Sequence, residues 1–334
     1  MKPEFSVVIP VFDEEAGLPL LFERLYPALD ALDRHYEVIF VDDGSTDGSI
    51  TRLRAQVEAR PDCTRVLVLA QNAGQHLAIL AGFARTRGAV VVTLDADLQN
   101  PPECIAEVLD AIDQGADYVG TIRAARQDSW WRKRASLWIN TLRERTTRIR
   151  MTDQGCMLRG YDRRIVDAMN RCREVAPFVP ALAYTFARRP VEIVVRHEER
   201  AAGESKYSFL RLMRLNFDLM TGYSRVPLQI FSWSGITIAL ASLLFVALLA
   251  VRRIVIGPEA AGLFTLFGIA FFLLGCVLFG LGMIGEYVGR IFEQVRDRPR
   301  YVVAEFVCED TGSDSASVSA APVGTSKRAL MKTK

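Results

Sequence analysis

Two stretches, Ile230 to Val251 and Leu263 to Gly285, each run for about 20 residues without a charged side chain, the length a helix needs to cross a bilayer. Nothing else in the chain limits its fold as strongly, because hydrocarbon forces every backbone polar group to be satisfied within the segment. Two such runs in tandem, parted by Arg252, Arg253 and a short turn, predict a pair of membrane-spanning helices rather than core helices of a soluble domain. The N-terminus has neither the apolar length nor the small-residue cleavage site of a signal peptide, so the first 225 residues are expected in the cytosol. Arg211, Arg214 and Arg225 before the first span, and Arg290, Arg296, Arg298 and Arg300 after the second, outnumber Arg252 and Arg253 and predict a hairpin with both termini cytosolic.

The N-terminal part has a different grammar. Apolar, β-branched runs alternate with helical patterns, which predicts α/β architecture with a mostly parallel sheet and helices on both faces. Strands are expected over 5–11, 36–41, 65–70, 89–94 and 117–121, and helices over 15–32, 49–59, 74–85 and 102–114, the last with proline in its first turn. In such sheets ligands sit beyond the carboxyl ends of the strands. Those ends carry Pro10 to Glu15, Asp42 and Asp43, Asn72 to Gly74, and Asp95 to Gln99. No phosphate-binding loop of the Gly-x-x-x-x-Gly-Lys type and no Gly-x-Gly-x-x-Gly follows any strand, so a nucleotide site here is of another kind.

The sharpest of these ends is Thr93 to Glu103 (TLDADLQNPPE), where Asp95 and Asp97 cap an apolar strand. Carboxylates one residue apart at a turn can share a hard divalent cation, with Gln99 as a third oxygen donor, and a cation held this way grips a diphosphate. Net charge of only +2 gives no polyelectrolyte argument for nucleic acid. Basic character is local. Residues 123–150 carry nine arginines and lysines with Trp130, Trp131 and Trp138 interleaved, a composition suited to anionic headgroups at a membrane surface. Arg200 and Lys206, just ahead of an amphipathic stretch at 208–224, are placed to clamp phosphate where lipid meets protein. The six cysteines lack metal or disulfide spacing. The boundaries that follow are a catalytic domain over 1–205, an interfacial segment over 206–228, two spans within 229–290, a return segment over 291–307 and a disordered tail over 308–334.

With these residues in view, the chain resembles the family 2 glycosyltransferases of GT-A type. The likeness rests on Ser6–Glu15 (SVVIPVFDEE), Val41–Ser49 (VDDGSTDGS) and Asp95–Pro102 (DADLQNPP). The acidic motif together with a C-terminal pair of spans is similar to the polyprenyl-phosphate glycosyltransferases. A narrower likeness, over Gln71–Phe83, Arg126–Trp130, Gly155–Arg159, Phe186–Arg189, Gly203–Ser208 and Gly285–Arg290, is to the group that loads 4-deoxy-4-formamido-L-arabinose onto undecaprenyl phosphate for decoration of lipid A. The resemblance implies a GT-A (Rossmann-like) domain, a bacterial inner-membrane location, a UDP-sugar donor, an undecaprenyl phosphate acceptor and inverting transfer. It implies that Pro10, Glu15 and Asp42 line a uridine pocket, with Asn72 and Gly74 on the donor side, and that Asp95, Asp97 and Gln99 hold Mg²⁺ or Mn²⁺. Arg123, Arg132 and Ser136 then face the acceptor phosphate.

Asp153 is a base, a sugar-hydroxyl acceptor or a helix cap, with hydroxyl binding preferred. His76 reads as a packing or capping histidine, and Glu286 as a partner for Arg290 or Arg225. Gly268, Gly275, Gly280 and Gly282 are the small residues that allow helices, including those of a second copy, to approach closely.

Overall fold

The computed structural model describes residues 2–123, 151–153, 155–172, 174, 177–198, 226–256, 263–296 and 298–308. Arg132 and Ser136, Arg200 and Lys206, the amphipathic stretch at 208–224 and the tail from 309 lie outside the described residues.

The strands are β1 (Phe5–Val11), β2 (Tyr36–Asp42), β3 (Thr64–Leu69), β4 (Val90–Thr93), β5 (Tyr118–Arg123), β6 (Arg159–Asp162), β7 (Pro190–Val195) and β8 (Val303–Val307). The helices are α1 (Leu18–Asp30), α2 (Ser49–Ala59), α3 (Gln75–Phe83), α4 (Ile105–Asp113, preceded by a 3₁₀ turn at Pro102–Cys104), α5 (Arg163–Arg171), α6 (Val179–Phe186), α7 (Val226–Ile256) and α8 (Leu263–Val295). All eight strands form one sheet in the order β7-β5-β6-β4-β1-β2-β3-β8. Strands β4, β1, β2 and β3 run parallel at its centre, with Val8 paired to Ile39 and to Thr93. Strand β6 enters antiparallel between β4 and β5.

Central strands buried on both faces read as continuous apolar runs, and β1 (FSVVIPV) is one. Alternate side chains leave opposite faces. Val7 and Ile9 meet Leu21 and Leu25 of α1 and Val108 of α4, whereas Val8 joins Ile39, Leu67 and the α3 residues Ile79 and Phe83. The result is a three-layer α/β domain, as the apolar pattern predicts.

Helix α1 starts three residues later than expected because Asp13, Glu14 and Glu15 are engaged elsewhere. Asp13 has φ 52°, and the backbone N–H groups of Glu14 and Glu15 bond Ser49 and Asp47. Strands β6, β7 and β8 were not anticipated. The last matters most, since β8 follows both apolar helices and pairs antiparallel with β3, Val66 opposite Val307. Its side chains are anchored: Glu305 bonds Arg54 at 2.5 Å and Arg85 lies 5.3 Å over the Phe306 ring, while Arg300, just before the strand, donates to the Cys172 carbonyl. The expected return segment therefore ends in a strand of the catalytic sheet.

Helices α7 and α8 have 31 and 33 residues, longer than the expected 230–251 and 263–285. Within α8, Ile269–Phe292 is long and apolar enough to cross a membrane, with mean hydropathy 2.1. Phe231 and Phe279 rings stand 5.8 Å apart, and Gly280 leaves the space that Phe231 occupies, so this glycine serves contact within the chain. Glu286 pairs with Arg290 at 2.9 Å, one of the two partners expected.

Candidate active site

Four loops converge at the carboxyl ends of the parallel strands. The first two interlock. After β1, Asp13 accepts from the Thr46 N–H at 2.8 Å, and Glu15 accepts from the Gly48 N–H at 3.0 Å while its own N–H donates to Asp47 at 3.1 Å. Glu15, expected against uridine, is thus also a brace for the turn after β2. Pro10 sits half-buried in β1 opposite Val41.

Asp42 and Asp43 end β2, and their neighbours give them different roles. Asp43 accepts the N–H groups of Ala73 and Gly74, at 2.7 and 2.9 Å, and so pins the loop that carries Asn72 and Gly74. Asp42 is buried, and its Oδ1 has no hydrogen-bond partner. Burial raises its carboxyl above the usual carboxylate range, against hydrogen bonds from Ser45. A buried acceptor without a donor is costly, which marks Asp42 as a point where a ligand N–H would fit. Gly44 makes the approach possible. At φ 71° it lies where a Cβ would come within 2.8 Å of the Asn72 nitrogen.

Asp95 and Asp97 follow β4 across a sharp turn in which Leu98, a buried non-glycine residue, adopts φ 59°. Strain of this kind costs about 1–3 kcal/mol and persists where the surroundings over-determine it. Leu98 is fixed in the core with Ala96, and Asn100 beneath it is buried and accepts from the Cys156 thiol. Asp97 Oδ1 accepts the Gln99 N–H at 3.2 Å. Asp95 accepts from Gln75 Nε2 at 2.7 Å. Asp95 is half-buried. Burial first, then the Asp97 charge, pushes it up to about 7, while Gln75 and the charges of Arg159 and Arg123 pull it down.

On the far side, Arg123 at the end of β5 and Asp153 form a two-pronged ion pair, Nε to Oδ2 at 2.6 Å and Nη2 to Oδ1 at 2.9 Å. Asp153 is buried and also accepts the Gly155 N–H at 3.0 Å; burial pushes its carboxyl up, but the hydrogen bonds and charge of Arg123 together with the Gly155 N–H bring it below the ordinary carboxylate range. A carboxylate tied this way is a poor proton acceptor.

Two residues escaped the sequence reading as site groups, Gln75 and Arg159, and Asp43 was read there only as a strand-end residue without a role. Arg159 of β6 is fully buried and donates to the carbonyls of Cys156 and Asp153, at 2.8 and 2.7 Å, and to the Tyr118 hydroxyl. It ties down the 153–156 loop and adds positive potential near Asp95. Only its place in the Gly155–Arg159 motif pointed to it. His76 packs edge-on against Phe178 with ring centroids 4.8 Å apart, its Nδ1 without a partner, and burial pushes it down to about 4. The packing role expected of it agrees with that geometry.

Among the described residues no three His, Cys, Asp or Glu side chains gather as a metal cluster. Two carboxylates with an amide oxygen nearby fit Mg²⁺ or Mn²⁺ all the same, because such ions take one or two protein carboxylates and fill their shell with substrate phosphates and water.

Residues 6–169 match the family described as Glycosyl transferase family 2. The undecaprenyl-phosphate 4-deoxy-4-formamido-L-arabinose transferase of Serratia proteamaculans (strain 568) is 48% identical over 306 residues, covering 91% of this chain and 94% of that protein. The protein of the same name from Klebsiella pneumoniae (strain 342) is 49% identical over 304 residues, covering 90% and 93%. Among solved structures, glucosyl-3-phosphoglycerate synthase from Mycobacterium tuberculosis in complex with Mn²⁺, UDP and phosphoglyceric acid aligns with TM-score 0.48 at 17% identity, over 66% of this chain and 76% of that one.

Proposed function

The chain belongs to glycosyl transferase family 2, and from that premise we propose that it moves 4-deoxy-4-formamido-L-arabinose from UDP to undecaprenyl phosphate at the cytosolic face of the bacterial inner membrane, for modification of lipid A. The observation that carries this reading is the acidic turn after β4, with the orphaned Asp42 acceptor at the carboxyl end of β2, in a chain nearly half identical to the transferases of that name over almost its whole length.

The uracil edge offers an N–H, and Asp42 Oδ1 offers the matching acceptor. Asp95 and Asp97, with Gln99, would hold the divalent cation. Once bound, that cation neutralises charge on the departing diphosphate. An acceptor phosphate oxygen attacks the anomeric carbon, a carbon–oxygen bond forms, the bond from that carbon to UDP breaks, and configuration inverts. A phosphate monoester with a second pKa of about 6 is mostly dianionic near neutral pH, so no strong base is required. This agrees with Asp153 being tied to Arg123 rather than free to take a proton. Arg123 contributes its positive field beside the attacking phosphate, Asp153 retains lone pairs for a sugar hydroxyl, and Arg132, Ser136, Arg200 and Lys206 are assigned to the phosphate groups.

Membrane attachment follows the same reading. Because β8, which follows α7 and α8 in the chain, is an edge strand of the same sheet as β1, the two helices leave the domain and return to it, which supports a two-span hairpin with both ends cytosolic. Self-association of the hairpin is part of the proposal but draws no support from Gly280.

The deciding experiment is transfer by purified protein in detergent, with undecaprenyl phosphate and Mg²⁺ or Mn²⁺, comparing UDP-4-deoxy-4-formamido-L-arabinose with UDP-glucose. Product from the formamido donor alone is expected. Product from UDP-glucose instead would keep the chemistry and overturn the sugar assignment.

A further inference from the structure

Asp95 and Asp97 stand one residue apart, and they are anchored differently. Asp97 is tied within its own turn, where Oδ1 accepts the Gln99 N–H at 3.2 Å. Asp95 is tied from another element. Gln75, the first residue of α3, donates from Nε2 to Asp95 Oδ1 at 2.7 Å, and among the described residues no other hydrogen bond reaches that carboxylate.

The base of Gln75 is itself fixed. Asp43 accepts the N–H groups of Ala73 and Gly74, and the Gly74 carbonyl accepts those of Leu77 and Ala78 at 3.0 Å, so the start of α3 is fastened to the end of β2. Gly74 turns the chain into the helix at φ 94°, a conformation that glycine adopts freely. Behind it Ala78, Ile79 and Phe83 are buried with Val8, Ile39 and Leu67 of the sheet. The Gln75 side chain, by contrast, is exposed. Ordering an exposed glutamine costs rotamer entropy comparable to what one hydrogen bond returns, so this bond adds little to folding and its consequence lies in placement.

Two carboxylates this close repel when no cation lies between them, and a cation then has to gather them as it binds. An amide donor opposes that movement. Being neutral, it fixes Oδ1 of Asp95 without a charge that would compete with the metal, and it leaves Oδ2 for the cation. We propose that Gln75 is a positioning residue for the metal site: it presets the Asp95 carboxylate for a divalent cation, from a helix start that Asp43 of β2 holds in place. This rests on the assignment of Asp95 and Asp97 to metal made above. Gln75 acts through Asp95 and takes no part in making or breaking a bond.

The test uses the full chain in detergent and compares the parent with Gln75→Met, which keeps the length of the side chain but has no N–H to donate, and with Asp95→Asn. UDP affinity is measured by calorimetry from zero Mn²⁺, in EDTA, up to saturation, and Tm is read alongside. In Gln75→Met the Mn²⁺ concentration that gives half of the gain in UDP affinity is expected to rise about tenfold, the scale of losing a hydrogen bond that orients a metal ligand. UDP affinity in EDTA and Tm should stay as in the parent, and saturating Mn²⁺ should restore most of kcat. An unshifted Mn²⁺ midpoint in Gln75→Met, beside a weakened Mn²⁺ response in Asp95→Asn, would overturn the positioning role alone. No Mn²⁺ response in the parent, or an unaltered one in Asp95→Asn, would instead overturn the metal assignment beneath it. Weaker UDP binding in EDTA together with a lowered Tm would reduce Gln75 to a structural residue of the 72–75 loop.

Discussion

Replacing Arg123 by alanine isolates the best-defined charge pair in the candidate site. Asp153 is only 4% exposed, and the substitution removes the 2.6 and 2.9 Å bonds to its carboxylate while leaving the 3.0 Å bond from Gly155. Breaking a fully buried ion pair from one side costs about 3–5 kcal/mol, because the remaining charge is stranded. Arg123 keeps 26% of its side chain exposed, and Gly155 still contributes, so a smaller cost, about 2–3 kcal/mol, is expected. At roughly 2 °C or more per kcal/mol for a chain of this size, Tm should fall by about 4–8 °C in matched detergent at fixed scan rate.

The pH dependence supplies a second signature. In the native protein the Asp153 carboxyl is lowered, so it adds stability above its unfolded pKa and loses that contribution as pH falls through the folded value. Without Arg123, burial dominates and the carboxyl is raised. The Tm deficit should therefore shrink on going from pH 7 to pH 4.5, and Asp153→Asn added to Arg123→Ala should recover part of it. A Tm within 1 °C of the parent at pH 7, or a deficit that grows on acidification, would refute the reasoning.

Asp97→Asn should abolish transfer while leaving Tm within about 2 °C, a surface-scale change; retained turnover with normal metal dependence would remove Asp97 from the metal site. His76→Gln should flatten the loss of stability between pH 6.5 and 4, because the buried ring, pushed down to about 4, stays neutral while the unfolded chain takes up a proton. Thermal melts across that range check it, and parallel curves for parent and variant would contradict it. Gly44→Ala forces a side chain into φ 71° and against the Asn72 backbone, so UDP affinity, read by calorimetry, should drop with a stability loss of about 1–3 kcal/mol.

The parallel half of the sheet was legible because buried parallel strands leave long apolar runs ended by turn residues, as in β1 and β2. Strand β6 was not, since its four residues, RGYD, bury an arginine whose hydrogen-bond acceptors come from Tyr118 and from the loop at 153–156. Strand β8 (VAEFV) has strand composition, but no local signal names β3 as its partner across the intervening helices. The acidic turn could be read from Asp95 and Asp97 themselves. The pairing of Arg123 with Asp153 could not, because it depends on β5 and the 153–156 loop meeting across the inserted β6.

The position of β8 also sets an order of events during synthesis. Arg54 of α2 and Glu305 of β8 meet although 251 residues separate them in sequence. At 5–20 residues per second, the ribosome needs roughly 10–50 seconds to make that interval. Throughout it β3 is an open edge, able to pair with any strand nearby. The domain can close only after α7 and α8 have been made. Completion of the fold thus waits on α7 and α8, and a chain that stalls before residue 303 carries a sticky edge that quality-control proteases can recognise.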